Sequence, residues 1–230
     1  MLMQPQAGQG MAPAAAAAAA TRAPGPDGRV SGVPGQAADD RGDDCMRFDR
    51  PVFLVGPMGA GKTTIGRRLA QSINGSFLDH DDYIIEQAHM SIPDIFASRG
   101  EPFFRELEHD CLRSLLDESF CPEHIVRPAQ LPAVIAGGGG VAGREDSRAL
   151  IAAHSLCLYL HLDVEHQYER VRHDQNRPMI HVQDIRGRLS ELFAQRDPLY
   201  RSIALAVIDT DDSIDNIVQR CLQALSPHQL

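Results

Sequence analysis

Lysine is almost absent from this 230-residue chain: among 22 Lys and Arg residues only Lys62 is a lysine. The arginine bias, with its abundant Ala, Gly and Pro, reflects base composition more than physics, so the position of the one lysine is informative. Net positive charge is also missing. With 31 acidic against 22 basic residues the formal charge is -9, which excludes a binder of nucleic acid or anionic membrane acting through bulk charge. Any phosphate chemistry must be local. No apolar run approaches the roughly 20 residues that span a bilayer; Pro51 to Val55 and Leu156 to Leu160 are only strand-length, and a soluble protein is expected. Paired cysteines are lacking too. Cys45, Cys111, Cys121, Cys157 and Cys221 are odd in number and scattered, without a C-x-x-C pair or metal-ligand spacing, a pattern that predicts reduced thiols and a cytoplasmic location.

What is present is enough for one domain with a core, at 43% hydrophobic and 23% charged residues, plus some spare length. Residues 1–48 supply that spare length. They hold the Ala14 to Ala20 run, the Pro/Gly-rich stretch Ala23 to Gly35, and Asp39, Asp40, Asp43 and Asp44. Little there repays the entropy of ordering. A disordered extension or an over-called start is expected, with a helical Ala segment or partner-binding arm as the alternative. The pattern fits neither a signal peptide nor an Arg-rich transit peptide.

From Arg50 onward, short apolar runs alternate with amphipathic segments, the pattern of strands joined by crossover helices. Strands are predicted at Val52–Val55, Ser76–Leu78, Ala133–Ala136, Leu156–His161 and Leu205–Ile208. Helices are predicted at Thr63–Ile73, Ser91–Ser98, Phe103–Asp117, Arg144–Ala153, Val164–His173, Arg188–Gln195 and Ser213–Ala224. The implied architecture is α/β, a three-layer α/β/α domain over residues 49–226 around a central, mainly parallel five-stranded sheet. Ser91 with Asp94 reads as a capping box, and Asp163 as the cap of the following helix. The aperiodic segment Glu118–Leu131 is expected to be a surface loop.

Gly56-Pro57-Met58-Gly59-Ala60-Gly61-Lys62-Thr63 fits G-x-x-x-x-G-K-[ST] between a strand and a helix, the context that makes it a P-loop. Its glycines turn successive backbone N–H groups toward phosphate oxygens, and the helix N-terminus adds its dipole. Lys62 then reaches the β- and γ-phosphates, and the Thr63 hydroxyl suits Mg²⁺. Gly59, Ala60, Gly61, Lys62, Thr63 and Thr64 are the predicted ATP-binding set. The P-loop alone does not name the acceptor.

Asp79 and Asp81, at the end of the second predicted strand, lie where ligands bind in open α/β sheets. By strand alternation the two carboxylates are expected to share a direction, one supporting Mg²⁺ and the other accepting a proton from an attacking hydroxyl. Gly137, Gly138 and Gly139 end another strand and offer backbone N–H groups to a substrate. The ten histidines show no metal or triad spacing and receive no catalytic role; His80, between the two aspartates, is the one to watch.

At this point the chain resembles the shikimate kinase family. The residues that carry the resemblance are the P-loop with Thr64-Ile65-Gly66-Arg67-Arg68-Leu69-Ala70, Asp79-His80-Asp81, Ile92-Pro93-Asp94-Ile95-Phe96 and Gly100-Glu101-Pro102-Phe103-Phe104-Arg105-Glu106-Leu107-Glu108. Gly137 to Gly140, Asn176-Arg177-Pro178-Met179 and Arg196-Asp197-Pro198-Leu199-Tyr200 follow in the same order. The resemblance implies transfer of the ATP γ-phosphoryl group to the 3-hydroxyl of shikimate, in the chorismate pathway to aromatic amino acids. It makes Asp81 the base, Asp79 part of the Mg²⁺ shell, and Arg105 and Arg196 the clamp on the substrate carboxylate. A substrate-binding region is implied at about residues 80–118. A lid at about 174–187 would bring Arg177 to the phosphates, and Arg172 would stack near adenine. A monomer is expected. Departures are Thr63 for a frequent serine, Met179 for leucine, and a longer 118–131 loop. A gluconate-kinase-like enzyme and a non-catalytic ATP-binding regulator remain the alternatives. The Arg105, Gly137 to Gly140 and Arg196 set argues against the first, and retention of Lys62, Thr63, Asp79, Asp81 and Arg177 against the second.

Overall fold

A computed structural model describes residues 46–172 and 184–230. The predicted tail up to residue 45, and most of the predicted lid with Arg177, lie outside the described residues. Five strands run in the order β2-β3-β1-β4-β5: β1 Val52–Val55, β2 Phe77–Asp79, β3 Val134–Ala136, β4 Leu156–His161 and β5 Ala206–Asp209. Every pairing is parallel, with Val52 opposite both Val134 and Leu156, Asp79 opposite Ala136, and His161 opposite Asp209. The carboxyl ends of all five strands therefore share one edge.

The central strand shows why the domain has three layers. β1 is buried throughout, and its alternating residues divide between two cores. Val52 and Leu54 pack with Ile65 and Leu69 of α1 (Lys62–Ser72) and Ile217 and Val218 of α7 (Ile214–Leu225). Phe53 and Val55 pack with Leu112 and Leu115 of α3 (Ile92–Leu116) and Ile151 of α4 (Glu145–His154). Strands covered on both faces read as continuous apolar runs, which is why β1 and β4 match their predicted bounds.

Two helices depart from the sequence reading, and the predicted loop is held in place. The helix α2 (His80–Ala88) was not foreseen; Asp79 caps it, its side chain accepting from Asp81 N at 3.1 Å. Asp81 thus stands in a helical first turn, and strand alternation does not govern its direction. The helix α6 (Ile185–Ile203) continues beyond Gln195 through Pro198, although the proline removes one backbone donor. The 118–131 segment is irregular as expected, yet it is pinned. Arg127 donates to the carbonyls of Ser114, Asp117, Glu118 and Phe120 at 2.7 to 3.0 Å, and Gln87 clasps both backbone polar groups of Val126.

Other expectations hold in detail. Ser91 Oγ accepts from Asp94 N at 3.2 Å, and Asp163 caps α5 (Val164–Val171), accepting from His166 N at 2.9 Å. The two helices predicted before and after residue 100 are separated by Gly100 at φ 79° and ψ 170°, a conformation open to glycine, with Pro102 in the turn that follows. Among the described residues no helix is long and apolar enough to cross a membrane.

Candidate active site

The P-loop connects β1 to α1. Gly61 sits at φ 83° as the N-cap of α1, and no side chain caps that helix end. A residue with a Cβ would be strained there, and the first N–H groups of α1 stay available to an anion. Lys62 Nζ folds back to donate to Gly56 O at 2.8 Å and Pro57 O at 2.9 Å, which closes the loop and holds the ammonium over it. Ala60 is buried, Gly59 packs beside Val171, and Thr63 and Thr64 follow on the exposed side of the first turn.

Thr63 Oγ1 donates to Asp79 Oδ2 at 2.7 Å, while Asp79 Oδ1 accepts from Asp81 N. One carboxylate thereby ties the start of α1 to the start of α2. The hydroxyl and carboxylate oxygens are hard donors suited to Mg²⁺, which takes its remaining ligands from phosphates and water. These residues fit the ion.

Asp81 lies against the glycine turn after β3. A Cβ on Gly138 would fall inside contact distance of Asp81 Oδ1 and 3.3 Å from its Cγ, so only glycine admits this approach. Gly137 continues the sheet, its N–H donating to Leu54 O at 2.9 Å. A Cβ on Gly140 would stand 2.6 Å from Arg105 Nη1. Gly139 O accepts from Arg196 Nη1 at 3.0 Å and from Tyr200 Oη at 2.5 Å. Four consecutive glycines thus bring Asp81 on α2, Arg105 on α3 and Arg196 on α6 to one place beside the P-loop.

Glu108 is buried within the same group. It accepts from Arg105 Nη1 at 2.8 Å; burial pushes its carboxyl up, Arg105 and Arg196 pull it back, and Asp81 adds to the rise. Sequence reasoning gave Glu108 no site role, although its i+3 spacing from Arg105 was the available signal. The other edge of Arg105, Nε and Nη2, donates to Glu101 Oε1 at 3.2 and 3.0 Å. His80 is fully buried, and neither ring nitrogen has a hydrogen-bond partner. Burial lowers its pKa to about 4, against weaker pulls from Asp79 and the Glu108 backbone, so the ring is neutral near pH 7.

Arg170 on α5 and Arg172 at its C-cap make different contacts. Arg172 pairs with Glu169 at 3.1 Å on the exposed side. Arg170 reaches the P-loop instead, donating to Gly59 O at 3.2 Å and to Thr210 O at 2.7 Å. Arg170 is itself exposed, and it is the reach of its long side chain that brings the guanidinium to the P-loop.

This arrangement has close counterparts. A family model described as "Shikimate kinase" matches residues 58–226. A shikimate kinase of Thioalkalivibrio sulfidiphilus is 42% identical over 169 residues, covering 73% of this chain and 83% of that protein. One of Methylococcus capsulatus is 39% identical over 180 residues, covering 78% and 94%. The solved structure of shikimate kinase from Acinetobacter baumannii in complex with shikimate superposes with a TM-score of 0.69 at 35% identity, covering 77% of this chain and 93% of that one. The family model covers most of the sequence and these relatives are matched over most of their length, so the chain belongs to the shikimate kinase family.

Proposed function

We infer that this protein transfers the γ-phosphoryl group of ATP to the 3-hydroxyl of shikimate, yielding shikimate 3-phosphate for the chorismate pathway. The observation that carries this reading is the convergence of Asp81, Arg105 and Arg196 on the glycine turn, beside the uncapped N-terminus of α1. Asp81 orients the acceptor hydroxyl and takes its proton as the new O–P bond forms and the bond from Pγ to the β,γ-bridging oxygen breaks, with ADP leaving. Lys62 exchanges its two carbonyl acceptors for phosphate oxygens, and the P-loop amides with Thr64 cradle the chain of phosphates. Thr63 and Asp79 would hold Mg²⁺, which supplies charge neutralisation at the phosphates when bound.

Two guanidinium forks suit a planar carboxylate. Arg105 keeps Glu108 on one side, and its Nε–Nη2 edge, now on Glu101, is the edge that a substrate carboxylate can take. Arg196 supplies the second fork, and the backbone from Gly137 to Gly139 frames the ring between them. Arg170, in contact with the P-loop, is assigned to the nucleotide side in place of Arg172. Arg177 belongs to the proposed lid at about residues 174–187, which excludes water from the transfer. The catalytic body is assigned to residues 49–226, acting as a cytoplasmic monomer.

The test is ADP release by the full-length chain with Mg-ATP, with and without shikimate, using gluconate as the control acceptor. Turnover with shikimate alone is expected. Turnover with gluconate alone would refute the arginine clamp, and ATP binding without acceptor-dependent turnover would leave a nucleotide-binding regulator.

A further inference from the structure

Gln167, on α5, is 2% exposed, and its Oε1 has no hydrogen-bond partner. A buried acceptor left unmatched is destabilising, so a native fold that keeps one there supplies a partner. Gln167 borders a small cavity whose wall includes Pro57 and Met58 of the P-loop and Arg196, Asp197 and Tyr200 of α6. The space open to water centres measures about 10 Å³, near the lower limit for one water molecule. Leu192 and Phe193 make part of the wall apolar, while Gln167, Arg196, Asp197 and Tyr200 supply the two to four polar partners a buried water needs.

Donor and acceptor counting points the same way. A guanidinium has five N–H donors. Arg196 spends one on Gly139 O and one on Tyr200, and a carboxylate gripped by both prongs takes two more, which leaves one. Gln167 Oε1 offers the surplus acceptor on the same cavity wall. Tyr200 donates its proton to Gly139 O, and Asp197 receives Tyr159 Oη at 3.0 Å and Arg201 Nε at 2.8 Å, so both retain lone pairs. Water is the one molecule of this size that accepts from a guanidinium while donating to an amide oxygen.

We propose that the cavity between the P-loop and α6 is a binding site for a single ordered water, through which Gln167 acts as a positioning residue for Arg196. Gln167 touches neither substrate in this arrangement; it fixes the orientation of the fork that does. The site also joins the nucleotide side of the protein, through Pro57 and Met58, to the acceptor clamp. The kinetic consequence rests on the shikimate reading, whereas the water site stands independently of it.

The experiment has two arms on the full-length chain. A high-resolution crystal structure of the wild type is expected to show one water within hydrogen-bond distance of Gln167 Oε1 and of Arg196, Asp197 or Tyr200; a dry cavity overturns the proposal. After wild-type turnover with shikimate is established, KM and kcat are measured for Gln167→Met and Gln167→Glu. Loss of one hydrogen bond through the water is expected to raise the shikimate KM of Gln167→Met about fivefold, with the ATP KM and kcat within about twofold. Gln167→Glu, which keeps an acceptor oxygen, restores the shikimate KM. An unchanged shikimate KM in Gln167→Met, an equal rise in both substrates' KM, or the same defect in both variants refutes the positioning role. If Gln167→Met fails to fold, the crystallographic arm and Gln167→Glu decide alone.

Discussion

Replacing Gly138 by alanine tests the acceptor geometry with the addition of one methyl group. Gly138 does not lie at positive φ, so alanine brings no backbone strain there, but its Cβ would overlap the Asp81 carboxylate. The carboxylate has to move by about the 1 Å that typically costs 10²-fold in rate, within the 10² to 10⁴ attributed to a positioned general base. The expected fall in kcat is therefore about 100-fold, equivalent to about 2.7 kcal/mol at roughly 1.36 per decade. Gly140→Ala acts on a different group. Its Cβ would stand 2.6 Å from Arg105 Nη1, so it is expected to raise the shikimate KM while kcat falls less. Gly143→Ala is the control, because nothing lies within 4 Å of the added atom. The assay is coupled ADP release with both substrates varied, alongside thermal melting to confirm folding. Wild-type kcat in a folded Gly138→Ala protein would refute the placement of Asp81 as the base, and equal effects of all three changes would refute the geometry altogether.

Arg127→Ala removes a guanidinium bonded to four carbonyls at the end of α3; with partial rehydration of those oxygens the loss is about 2–3 kcal/mol, seen as a lower urea midpoint. An unchanged midpoint would mean that the 118–131 segment contributes nothing to stability. Of the four described cysteines, Cys121 is exposed, while burial pushes the thiols of Cys111, Cys157 and Cys221 up to about 12. Maleimide at pH 8 should label Cys121 and spare those three until the protein unfolds, and mass mapping reads the outcome. His166 sits between Asp163 at 2.6 Å and Asp211 at 3.4 Å, which raise its pKa above 6.5. A raised folded-state pKa stabilises fully below the unfolded value and is lost as pH rises through the folded one. His166→Gln should therefore flatten the decline of melting temperature from about pH 6.5 upward; an identical slope in both proteins would exclude that bridge.

The parts of this fold legible from sequence are those where one physical constraint dominates. β1 and β4 are covered on both faces, so their apolar runs end where the strands end. The P-loop is fixed by backbone geometry that only its glycines permit. The helix α2 escaped because its apolar residues, Tyr83, Ile84 and Ile85, are contiguous, and because Asp79 looked like the end of a strand when it also caps the next helix. The sequence argument paired Asp79 and Asp81 through strand alternation. In the structure they do different work, Asp79 turning to Thr63 and Asp81 to Gly138. The contact of Arg170 with the P-loop went unforeseen, because which residues of a short helix reach that loop is a tertiary fact. The extension of α6 through Pro198 was hidden by the ordinary rule that proline ends helices.

The two basic centres differ in what each gives up on binding. Lys62 donates to two neutral carbonyls, and in the proposed mechanism moving its ammonium to phosphate oxygens would exchange these two for charged acceptors. In a chain of formal charge -9, that local exchange offsets the long-range repulsion of a nucleotide, which salt screens over about 10 Å. Arg105 already spends its edges on Glu101 and Glu108. In the proposed clamp, exchanging the Glu101 carboxylate for that of shikimate would gain little charge stabilisation, so Arg105 would select orientation more than it adds affinity. The hydrogen bond of Arg196 goes to the neutral Gly139 carbonyl, so its charge would meet the substrate with less competition and would carry more of the affinity. Such a clamp, with one saturated and one unsaturated fork, would recognise the shape of the acid through the first and its charge through the second.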